Sequence, residues 1–326
     1  MKKIKVNILI TSASKKVWLV QAFKDALKQL RNKGKVISAD FNLLSATFYL
    51  SDKHYLVPLS TRKDFIPTIL NICKKENVKL IIPTRDTELL LFAQKKENFA
   101  KLGIKIMVST PNVIKACNDK YEFYKFLTKN KISAPVTYLP NKITGSMHYP
   151  LVIKSRYGSG AQAVFKAKNT KELNFFKQYI SNPIIQEFVR GKEYTIDVFS
   201  DFDANVISII PRERIEVVAG ESYKGKTIKN KRIIEYARKL TENLGSIGHI
   251  TIQCIKDKKT IKFIEVNPRF GGGALLGIMS GANTPLMLIK ILLGKKVTQC
   301  IGKFKKDLIM LRYTKDLFIH GNKQIN

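Results

Sequence analysis

The chain is poor in cysteine, tryptophan, acidic residues and long apolar runs. Its four cysteines, Cys73, Cys117, Cys254 and Cys300, stand apart without a CxxC pair, which argues against a disulfide framework and a cysteine-based zinc site. No apolar run approaches the roughly 20 residues that cross a bilayer. The N-terminus lacks the small-residue cleavage site of a signal peptide, so we expect a cytoplasmic protein without a membrane span.

Acidic residues are scarce relative to basic ones, because 25 Asp and Glu stand against 58 Lys and Arg, a formal net charge of +33. Such a charge attracts nucleic acid, anionic membranes or acidic ligands. The lysines are spread along the whole chain, and bidentate recognition of phosphates and bases favours arginine. This distribution favours a solvated, lysine-rich surface, and nucleic acid is not an expected partner. A basic nucleic-acid-binding protein stays open as an alternative.

Strand and helix patterns alternate through the first third of the chain. Apolar runs over residues 6–10, 35–40, 78–83 and 104–108 predict strands, and helical spacing of apolar residues predicts helices between them. This alternation indicates a parallel sheet with helices on both faces. The first strand-to-helix turn contains no glycine, which excludes a dinucleotide site that needs glycine there.

The character of the sequence changes near residue 111. Hairpin-like runs cover residues 150–168 and 183–210, a helix over residues 231–244 stops at Gly245, and a last helix begins at Thr284-Pro285. The short strands predict hairpins and antiparallel pairing. The predicted fold class is therefore a combination of α/β and α+β.

Residues 251–267 contain two strands around a polar turn, and their register can be read from the sequence. If the turn is centred on Lys259, Gln253 lies directly opposite Glu265, about 5 Å away. Glu265 and Asn267 project to the same face, because side chains alternate along a strand. Three oxygen-bearing side chains without a nearby histidine or cysteine suit Mg²⁺. A solvated polar face is the alternative.

A glycine-bearing loop lies between two predicted strands near residue 158. Lys154 ends the first strand, where it can supply a cation, and glycine lets backbone N–H groups approach a phosphate closely. A hairpin turn with an incidental lysine explains the same pattern. The loop residues are Gly158, Ser159, Gly160 and Ala161.

Lys120 occupies the first turn of a predicted helix, directly after Asn118-Asp119, which suits a helix cap. A cation at this end opposes the helix dipole by a few tenths of a kcal/mol. The position is favourable if the lysine and the helix N-terminus hold an anion together. A solvated lysine is the alternative.

Two strands separated by a glycine-containing break cover residues 184–198. A strand that ends at an apolar pocket offers main-chain groups that can bind the edge of an adenine, and a carboxylate further on can accept from ribose hydroxyls. The candidates are Glu187, Phe188, Val189 and, for the ribose, Glu193.

Arg212 and Arg214 share one face of a predicted strand and can clamp a carboxylate or a phosphate bidentately. A surface ion-pair strip is the alternative. In the first lobe, Glu88 belongs to a segment that ends a strand at the edge where α/β proteins bind ligands. A helix cap explains that segment equally well.

The order of these motifs resembles that of the ATP-grasp superfamily, most closely its branch similar to the carbamoyl phosphate synthase large subunit. The motifs are a lysine, a lysine with a glycine loop, Gln-Glu-Phe-Val-x-Gly-x-Glu, a glutamine and Glu-x-Asn-Pro-Arg. The resemblance covers nearly the whole chain. It implies a Rossmann-like pre-ATP-grasp domain over residues 1–112, a small lobe over 113–188, a large lobe over 189–318 and a frayed tail over 319–326.

The resemblance also implies roles for the residues. Lys120 and Lys154 would hold the nucleotide phosphates, and residues 158–161 would close over them, while residues 187–189 and Glu193 would hold the adenosine. Gln253 and Glu265 would bind magnesium, with Asn267 on a second ion. The implied catalytic residues are Arg269, Arg214 and Lys224, and the implied substrate residues are Arg212, Glu221, Gly272 and Glu88. The segment over residues 219–226 would form a mobile substrate loop.

The implied activity is that of an ATP-dependent ligase. It would activate a carboxylate as an acyl phosphate for attack by an amine or ammonia, releasing ADP and phosphate. The implied cofactors are ATP and Mg²⁺, with Mn²⁺ able to substitute, and whether one ion or two bind stays open. The expected partners are small-molecule carboxylates and amines, and a homo-oligomer stays open. Carboxyphosphate chemistry like that of carbamoyl phosphate synthase is an alternative, as is a non-catalytic basic nucleotide-binding protein.

Overall fold

The computed structural model describes residues 4–143, 147–158, 163–321 and 323–325. Its N-terminal part alternates strands and helices. These elements are β1 (Asn7–Thr11), α1 (Val17–Gln29), β2 (Val36–Asp40), β3 (Lys53–Leu56), α2 (Phe65–Lys75), β4 (Val78–Pro83), α3 (Asp86–Ala100), β5 (Lys105–Ile106) and α4 (Pro111–Asn118). The five strands form one parallel sheet in the order β3-β2-β1-β4-β5.

Helices cover both faces of this parallel sheet. Ile8 and Ile10 of β1 pack with the apolar side of α1, whereas Leu9 and Ile81 pack with α2 and α3 on the opposite face. Successive side chains of a strand point to opposite faces, so strands buried on both sides are apolar almost throughout. The predicted parallel sheet with two helical layers is confirmed.

The next part of the chain is a four-stranded antiparallel sheet with two helices. Its elements are α5 (Lys120–Lys129), β6 (Thr137–Tyr138), β7 (Leu151–Ser155), β8 (Val164–Ala167), α6 (Thr170–Tyr179) and β9 (Pro183–Glu187). The strand order is β6-β9-β7-β8. Leu151, Ile153 and Ile185 form a small core with Leu173 of α6.

A six-stranded antiparallel sheet follows. Its strand order is β14-β13-β10-β11-β12-β15. Ile196, Val198, Ile250 and Ile252 pack beneath α7 and α5 in the largest core of this region. The elements are β10 (Lys192–Ser200), β11 (Val206–Val218), β12 (Glu221–Thr227), α7 (Lys231–Leu244), β13 (Gly248–Lys256), β14 (Ile261–Asn267), α8 (Ala274–Met279), α9 (Thr284–Leu292), β15 (Ile309–Leu311), β16 (Phe318–His320) and β17 (Lys323–Ile325).

The predicted register of the β13–β14 hairpin is confirmed. Gln253 pairs with Glu265, and Thr251 pairs with Asn267. The register shifts by one residue between Gln253 and Cys254, on the side of the turn. The bulge lies beyond the Gln253–Glu265 pair, so the pair stays opposed, as the sequence requires.

Two predictions about the antiparallel part differ from the structure. The run over residues 183–210 does not form one hairpin, because β9 belongs to the four-stranded sheet and β10 to the six-stranded one. Between them, Gly191 has a φ of 148° and a Cβ there would lie 2.5 Å from the carbonyl oxygen of Lys256. The segment expected to be a mobile substrate loop forms β12, which pairs with β11 and β15.

The sequence patterns do not predict β3, α4, α6 and α8. β3 is a mostly exposed edge strand, and its Lys-His-Tyr-Leu sequence gives no apolar run. α6 did carry a signal, because Asn169 caps it by accepting from the backbone of Glu172. The domain boundaries at residues 112, 188 and 318 stay predictions. None of the helices in the described part of the chain has the length and apolarity that a membrane span requires.

A buried ion pair joins the two central strands of the six-stranded sheet. Arg212 on β11 donates to both carboxylate oxygens of Asp197 on β10, over 2.6 and 2.9 Å, and both side chains are at most 4% exposed. Burial alone would raise the pKa of Asp197, but Arg212 and His249 lower it to about 2. His249 stacks on Phe270 with ring centroids 4.2 Å apart.

We predict that Asp197→Asn lowers the free energy of unfolding by about 3–5 kcal/mol, because it leaves a buried arginine without its counter-charge. Denaturant unfolding measures the change. Glu242→Gln is the control, since it breaks an exposed ion pair with Arg238 and should cost less than about 1 kcal/mol. Equal effects of the two substitutions would contradict the prediction.

Candidate functional site

The two antiparallel sheets meet around the side chain of Lys154, near the end of β7. Lys154 is 7% exposed, and burial lowers the pKa of its ammonium group to about 8. The carboxylates of Glu265 on β14 and Glu193 on β10 oppose this shift, and the ammonium group of Lys120 adds to it. Four residues from separate sequence motifs are therefore close enough to act on one another electrostatically.

Within the described ranges, the ammonium group of Lys154 has no ion pair and no hydrogen bond. A buried charge without a direct partner is costly, and proteins normally pair it or neutralise it. A bound anion would supply the missing partner. This buried cation without a direct partner is the strongest indication of a ligand in the region.

Lys120 lies beside the glycine loop that follows Lys154. Its ammonium group donates to the carbonyl oxygen of Gly158 over 2.5 Å, and it is the first residue of α5. Asp119 caps that helix by accepting from two backbone N–H groups, and Arg156 holds Asp119 through two bonds of 2.8 and 2.6 Å. The loop's entry is therefore fixed to the start of α5. The other predicted loop residues, Ser159, Gly160 and Ala161, lie outside the described residues.

The predicted adenine strand forms the seam between the two sheets. Glu187 at the end of β9 pairs with Lys262 of β14, which ties the small sheet to the predicted metal hairpin. Phe188 lies under the ammonium group of Lys166, 4.1 Å from the ring centroid. Val189 is half-buried beside it. No sequence motif assigns a role to Lys262, because only the fold brings it to Glu187.

The predicted metal-binding residues share one edge of the hairpin. Gln253 and Glu265 are opposed and half-buried, and the Asn267 amide nitrogen lies 3.4 Å from a Glu265 carboxylate oxygen. Among the described residues, no cluster of three or more His, Cys, Asp or Glu is placed to bind a metal. The carboxylate of Glu265 and the amides of Gln253 and Asn267 can bind a metal ion only through oxygen. Such a set fits an ion that takes few protein ligands and fills its other positions with water and phosphate.

Arg214 is the better placed of the two predicted clamp arginines. Its guanidinium pairs with Glu193 and donates to the carbonyl oxygen of Gly220 over 2.7 Å. Its Nε atom is buried without a hydrogen bond in the described structure. Arg212 is fully buried against Asp197 inside the sheet, and its Nη1 atom also has no hydrogen bond in the described structure. Lys224 is exposed and pairs with Glu216 across 2.7 Å.

Glu221 and Gly272 meet where the glycine run after β14 passes over β12. A Cβ on Gly272 would lie 2.6 Å from a Glu221 carboxylate oxygen. Arg312 donates to Glu221 over 2.7 Å and also to the carbonyl oxygen of Gly272. Arg312 lies outside every sequence motif, so only the fold identifies it. These contacts hold the glycine run close to the sheet.

Arg269 reaches from the end of β14 to the N-terminal part of the chain. It makes two bonds of 2.7 Å to the carboxylate of Asp86 at the start of α3. Burial alone would lower the pKa of Arg269, but Asp86, Glu265 and Glu221 raise it. Arg269 therefore stays charged and links the β13–β14 hairpin to the start of α3 beside the parallel sheet.

Glu88 is completely buried and does not face an open site. It accepts hydrogen bonds from the side chains of Thr11 and Ser12 and from the backbone of Thr84 and Arg85. Its carboxylate joins the ends of β1 and β4 and caps α3. The helix-cap alternative thus describes the contacts of Glu88.

Known proteins resemble this chain in two segments. The profile of the family described as ATP-grasp domain matches residues 117–273, and that of the family described as PylC-like, N-terminal domain, matches residues 8–107. The carbamoyl phosphate synthase large chain of Clostridium botulinum is 29% identical over 316 residues, which cover 88% of this chain and 29% of that protein. The chain thus spans less than a third of the length of this relative.

Two solved structures share the fold at low sequence identity. The biotin carboxylase-beta-gamma-ATP complex from Campylobacter jejuni gives a TM-score of 0.74 over 94% of this chain and 74% of that one, at 15% identity. The L-amino acid ligase from Bacillus licheniformis gives 0.69 over 90% and 75%, at 18% identity. The predicted fold class, a Rossmann-like lobe followed by a two-lobed ATP-grasp fold, is confirmed.

We predict that Lys154→Met stabilises the protein in the absence of ligand at pH 7. The pKa of Lys154 falls from 10.5 to about 8 in the folded state, so its charge costs up to about 3 kcal/mol below pH 8. The cost fades as the pH rises from 8 to 10.5, because the folded protein then loses the proton that the unfolded chain still binds. Thermal unfolding at pH 7 and pH 10 measures both effects.

Lys168→Met is the matched control, since Lys168 is exposed beside the same sheet. Its unfolding temperature should stay near that of the unmodified chain at both values of pH. A Lys154→Met protein that is no more stable than this control at pH 7 would contradict the prediction.

Proposed function

We propose that this chain, which carries an ATP-grasp domain behind a PylC-like N-terminal domain, is an ATP-dependent ligase that activates a carboxylate as an acyl phosphate. An amine or ammonia would then attack the acyl phosphate, with release of ADP and phosphate. The observation that carries the proposal is Lys154, a buried cation without a direct partner between the two grasp sheets.

The nucleotide would lie between the four-stranded and six-stranded sheets. We assign its phosphates to Lys154 and Lys120, with residues 158–161 closing over them. The seam at residues 187–189 would hold the adenine, and Glu193 would hold the ribose. Two features support this assignment: the electrostatic coupling of Lys154 to Glu193 and Glu265, and the bond from Lys120 to Gly158.

We assign Mg²⁺ to Gln253 and Glu265, with Asn267 on a second ion and Mn²⁺ able to replace both. Hard oxygen ligands and a carboxylate beside the phosphate-binding lysine fit such an ion. Bound there, the metal would neutralise phosphate charge and hold the γ-phosphate in line. The low number of protein carboxylates implies that most of the metal's ligands come from phosphate and water.

In the first step, an oxygen of the substrate carboxylate attacks the γ-phosphorus, and the bond to the β-phosphate oxygen breaks to release ADP. In the second step, the amine nitrogen attacks the carbonyl carbon, inorganic phosphate leaves, and the nitrogen loses a proton to solvent. Arg269 and Arg214 would stabilise the negative charge that moves between these groups. Phosphoryl transfer needs mainly such positioning and neutralisation from the protein.

Carboxyphosphate chemistry is the competing activity, since the curated relative is a carbamoyl phosphate synthase large chain. This chain matches 29% of that protein and holds one grasp in its described structure. Bicarbonate is therefore included as a substrate in the assay. ATP turnover that requires bicarbonate and no other carboxylate would replace the ligase by the carboxyphosphate reaction.

We predict that Glu265→Gln lowers phosphate release at least about 100-fold at fixed Mg²⁺, because it removes the single carboxylate of the metal trio. Phosphate release from ATP with a panel of carboxylates and amines measures the loss. Raising the Mg²⁺ concentration should recover part of the activity. Stabilisation of the folded protein by ATP in Mg²⁺ should weaken in parallel.

Glu235→Gln is the control for this variant. Glu235 is exposed on α7, and its substitution removes one negative charge, as Glu265→Gln does. Its phosphate release should match that of the unmodified enzyme. Full activity of Glu265→Gln, or an equal loss in both variants, would refute the assigned role. No stabilisation of the unmodified protein by Mg²⁺ and ATP would refute the ligase itself.

A further inference from the structure

The six-stranded sheet has two edge strands with different surroundings. At the edge formed by β14, the backbone N–H of Phe263 donates to the carbonyl oxygen of Ser133 over 2.9 Å, and α4 and α5 pack beside the strand. β15 forms the other edge, and no strand in the described part of the chain pairs with its outer side. An open strand edge can bind a further strand through its backbone.

The backbone of β15 directs hydrogen-bonding groups away from the sheet at two positions. The carbonyl oxygen of Leu308 and the N–H of Arg312 both bond to the backbone of β12, over 3.0 and 3.1 Å. Along an antiparallel strand, the backbone groups of successive residues point alternately to one neighbouring strand and to the other. The N–H and C=O groups of Ile309 and Leu311 therefore point away from β12.

The side chains along this edge are apolar and exposed. Ile309, Leu311 and Tyr313 are 56%, 68% and 80% exposed, and they lie at alternate positions, so they project to one face. Soluble proteins usually protect an open edge with charged side chains, proline or a bulge. The exposed Lys53 and His54 provide such protection for β3 at the edge of the parallel sheet. The apolar side chains of β15 indicate instead that this edge binds a partner.

Exposed charges of both signs lie on either side of this apolar segment. Lys306 and Asp307 precede it, and Lys315 and Asp316 follow it. The carboxylate of Asp307 lies 3.3 Å from the ammonium group of Lys306 and 3.7 Å from that of Lys226, whereas Asp316 has no ion pair within the described residues. The chain bends at Asp307, where φ is 58°, so these charges lie at the ends of the strand. The segment therefore carries the same lysine–aspartate order at both ends.

Antiparallel pairing with a second copy of this segment places each feature against a complementary one. When Leu311 lies opposite Leu311 of the second copy, Ile309 lies opposite Tyr313. Residue 306 is then opposite residue 316, and residue 307 opposite residue 315, so a lysine meets an aspartate at both ends. The outward backbone groups bond in the same register, because each outward residue lies opposite another outward residue.

Neighbouring registers lose this complementarity. A shift by two residues in one direction places Lys305 opposite Lys315, and in the other direction it places Ile309 opposite Lys315. Like charges directly opposite each other destabilise a strand pair. A shift by one residue would pair outward backbone groups with groups that already bond to β12. The sequence therefore favours the register with Leu311 at its centre.

We propose that β15 binds β15 of a second copy of this chain, antiparallel and across a two-fold axis at Leu311. The two six-stranded sheets then form one continuous sheet. Such an interface is isologous, because both subunits use the same surface. This inference goes beyond the proposed function and does not depend on it, since neither the nucleotide assignment nor the metal assignment involves residues 306–316.

The positive charge of the chain limits the strength of this association. Each copy carries a formal net charge of +33, which opposes association at low salt. At about 0.15 M ionic strength the Debye length is about 8 Å, so repulsion between distant surfaces is screened, while directly opposite side chains are about 5 Å apart. A strand pair also lies near the lower limit of the roughly 1,000 Å² that a specific interface buries. We therefore expect a weak dimer, with Kd on the order of 10 μM.

Sedimentation equilibrium of the full chain from about 1 to about 200 μM, at about 0.15 M salt, measures this association. Leu311→Lys should raise Kd at least about tenfold, because it removes an apolar contact and places two lysines opposite each other. Leu44→Lys is the matched control, since Leu44 is 74% exposed in the segment after β2, and its Kd should match that of the unmodified chain. Equal unfolding temperatures of the two variants show that both fold.

Disulfide formation tests the register in a chain that carries Cys300→Ser, because Cys300 is half-buried and the other three cysteines are buried. Leu311→Cys should form a covalent dimer on mild oxidation, since opposite Cα atoms lie about 5.5 Å apart. Ile309→Cys alone should not, because its equivalent in the second copy lies four residues along the ladder, roughly 13 Å away. A mixture of Ile309→Cys and Tyr313→Cys chains should form a mixed covalent dimer.

Each result bears on a separate part of the proposal. A protein that stays monomeric throughout the concentration range overturns the association. A dimer that Leu311→Lys leaves intact overturns its assignment to this edge. Covalent dimers of Ile309→Cys alone, or their absence with Leu311→Cys, overturn the register. None of these results depends on ATP turnover, so the ligase activity is tested independently by phosphate release.

Discussion

The buried ammonium group of Lys154, where the two antiparallel sheets meet, is the interaction on which the proposed site depends. Lys154 lies at the end of a strand in the small sheet, and the carboxylates that moderate its charge, Glu193 and Glu265, belong to the large one. The same seam contains the ion pair of Glu187 and Lys262. An anion bound there would give Lys154 a direct partner, so the fold and the proposed nucleotide site are two aspects of one electrostatic arrangement.

Much of this arrangement could be predicted from the sequence, because it depends on local pattern. The opposition of Gln253 and Glu265 follows from strand alternation and the position of the turn. The end of α7 is indicated by Gly245, because glycine readily takes the left-handed conformation of a helix cap. In the structure its φ is 63°. These features involve residues close along the chain, where periodicity and capping are reliable guides.

What could not be predicted depends on contacts between distant segments. Arg212 and Arg214 stand two apart on one strand, yet one is buried on Asp197 and the other reaches Glu193. Arg269 and Asp86 lie far apart in the sequence, and only the fold brings the end of β14 to the start of α3 so that they pair. Alternation along a strand fixes which face a side chain takes but not which partner it finds across the sheet.

The bulge beside Cys254 has a consequence for how the gene could tolerate insertions and deletions. The slip separates the ladder into a part that carries Gln253, Glu265 and Asn267 and a part that leads into the turn at residues 257–260. Added or lost residues in the turn can be absorbed on its own side of this slip. Adding or losing one residue between the slip and Asn267 would instead turn the side chains of this part of the ladder to the opposite face. Homologues should therefore differ in the number of residues in the turn, while the part of the ladder that carries Gln253, Glu265 and Asn267 keeps its length.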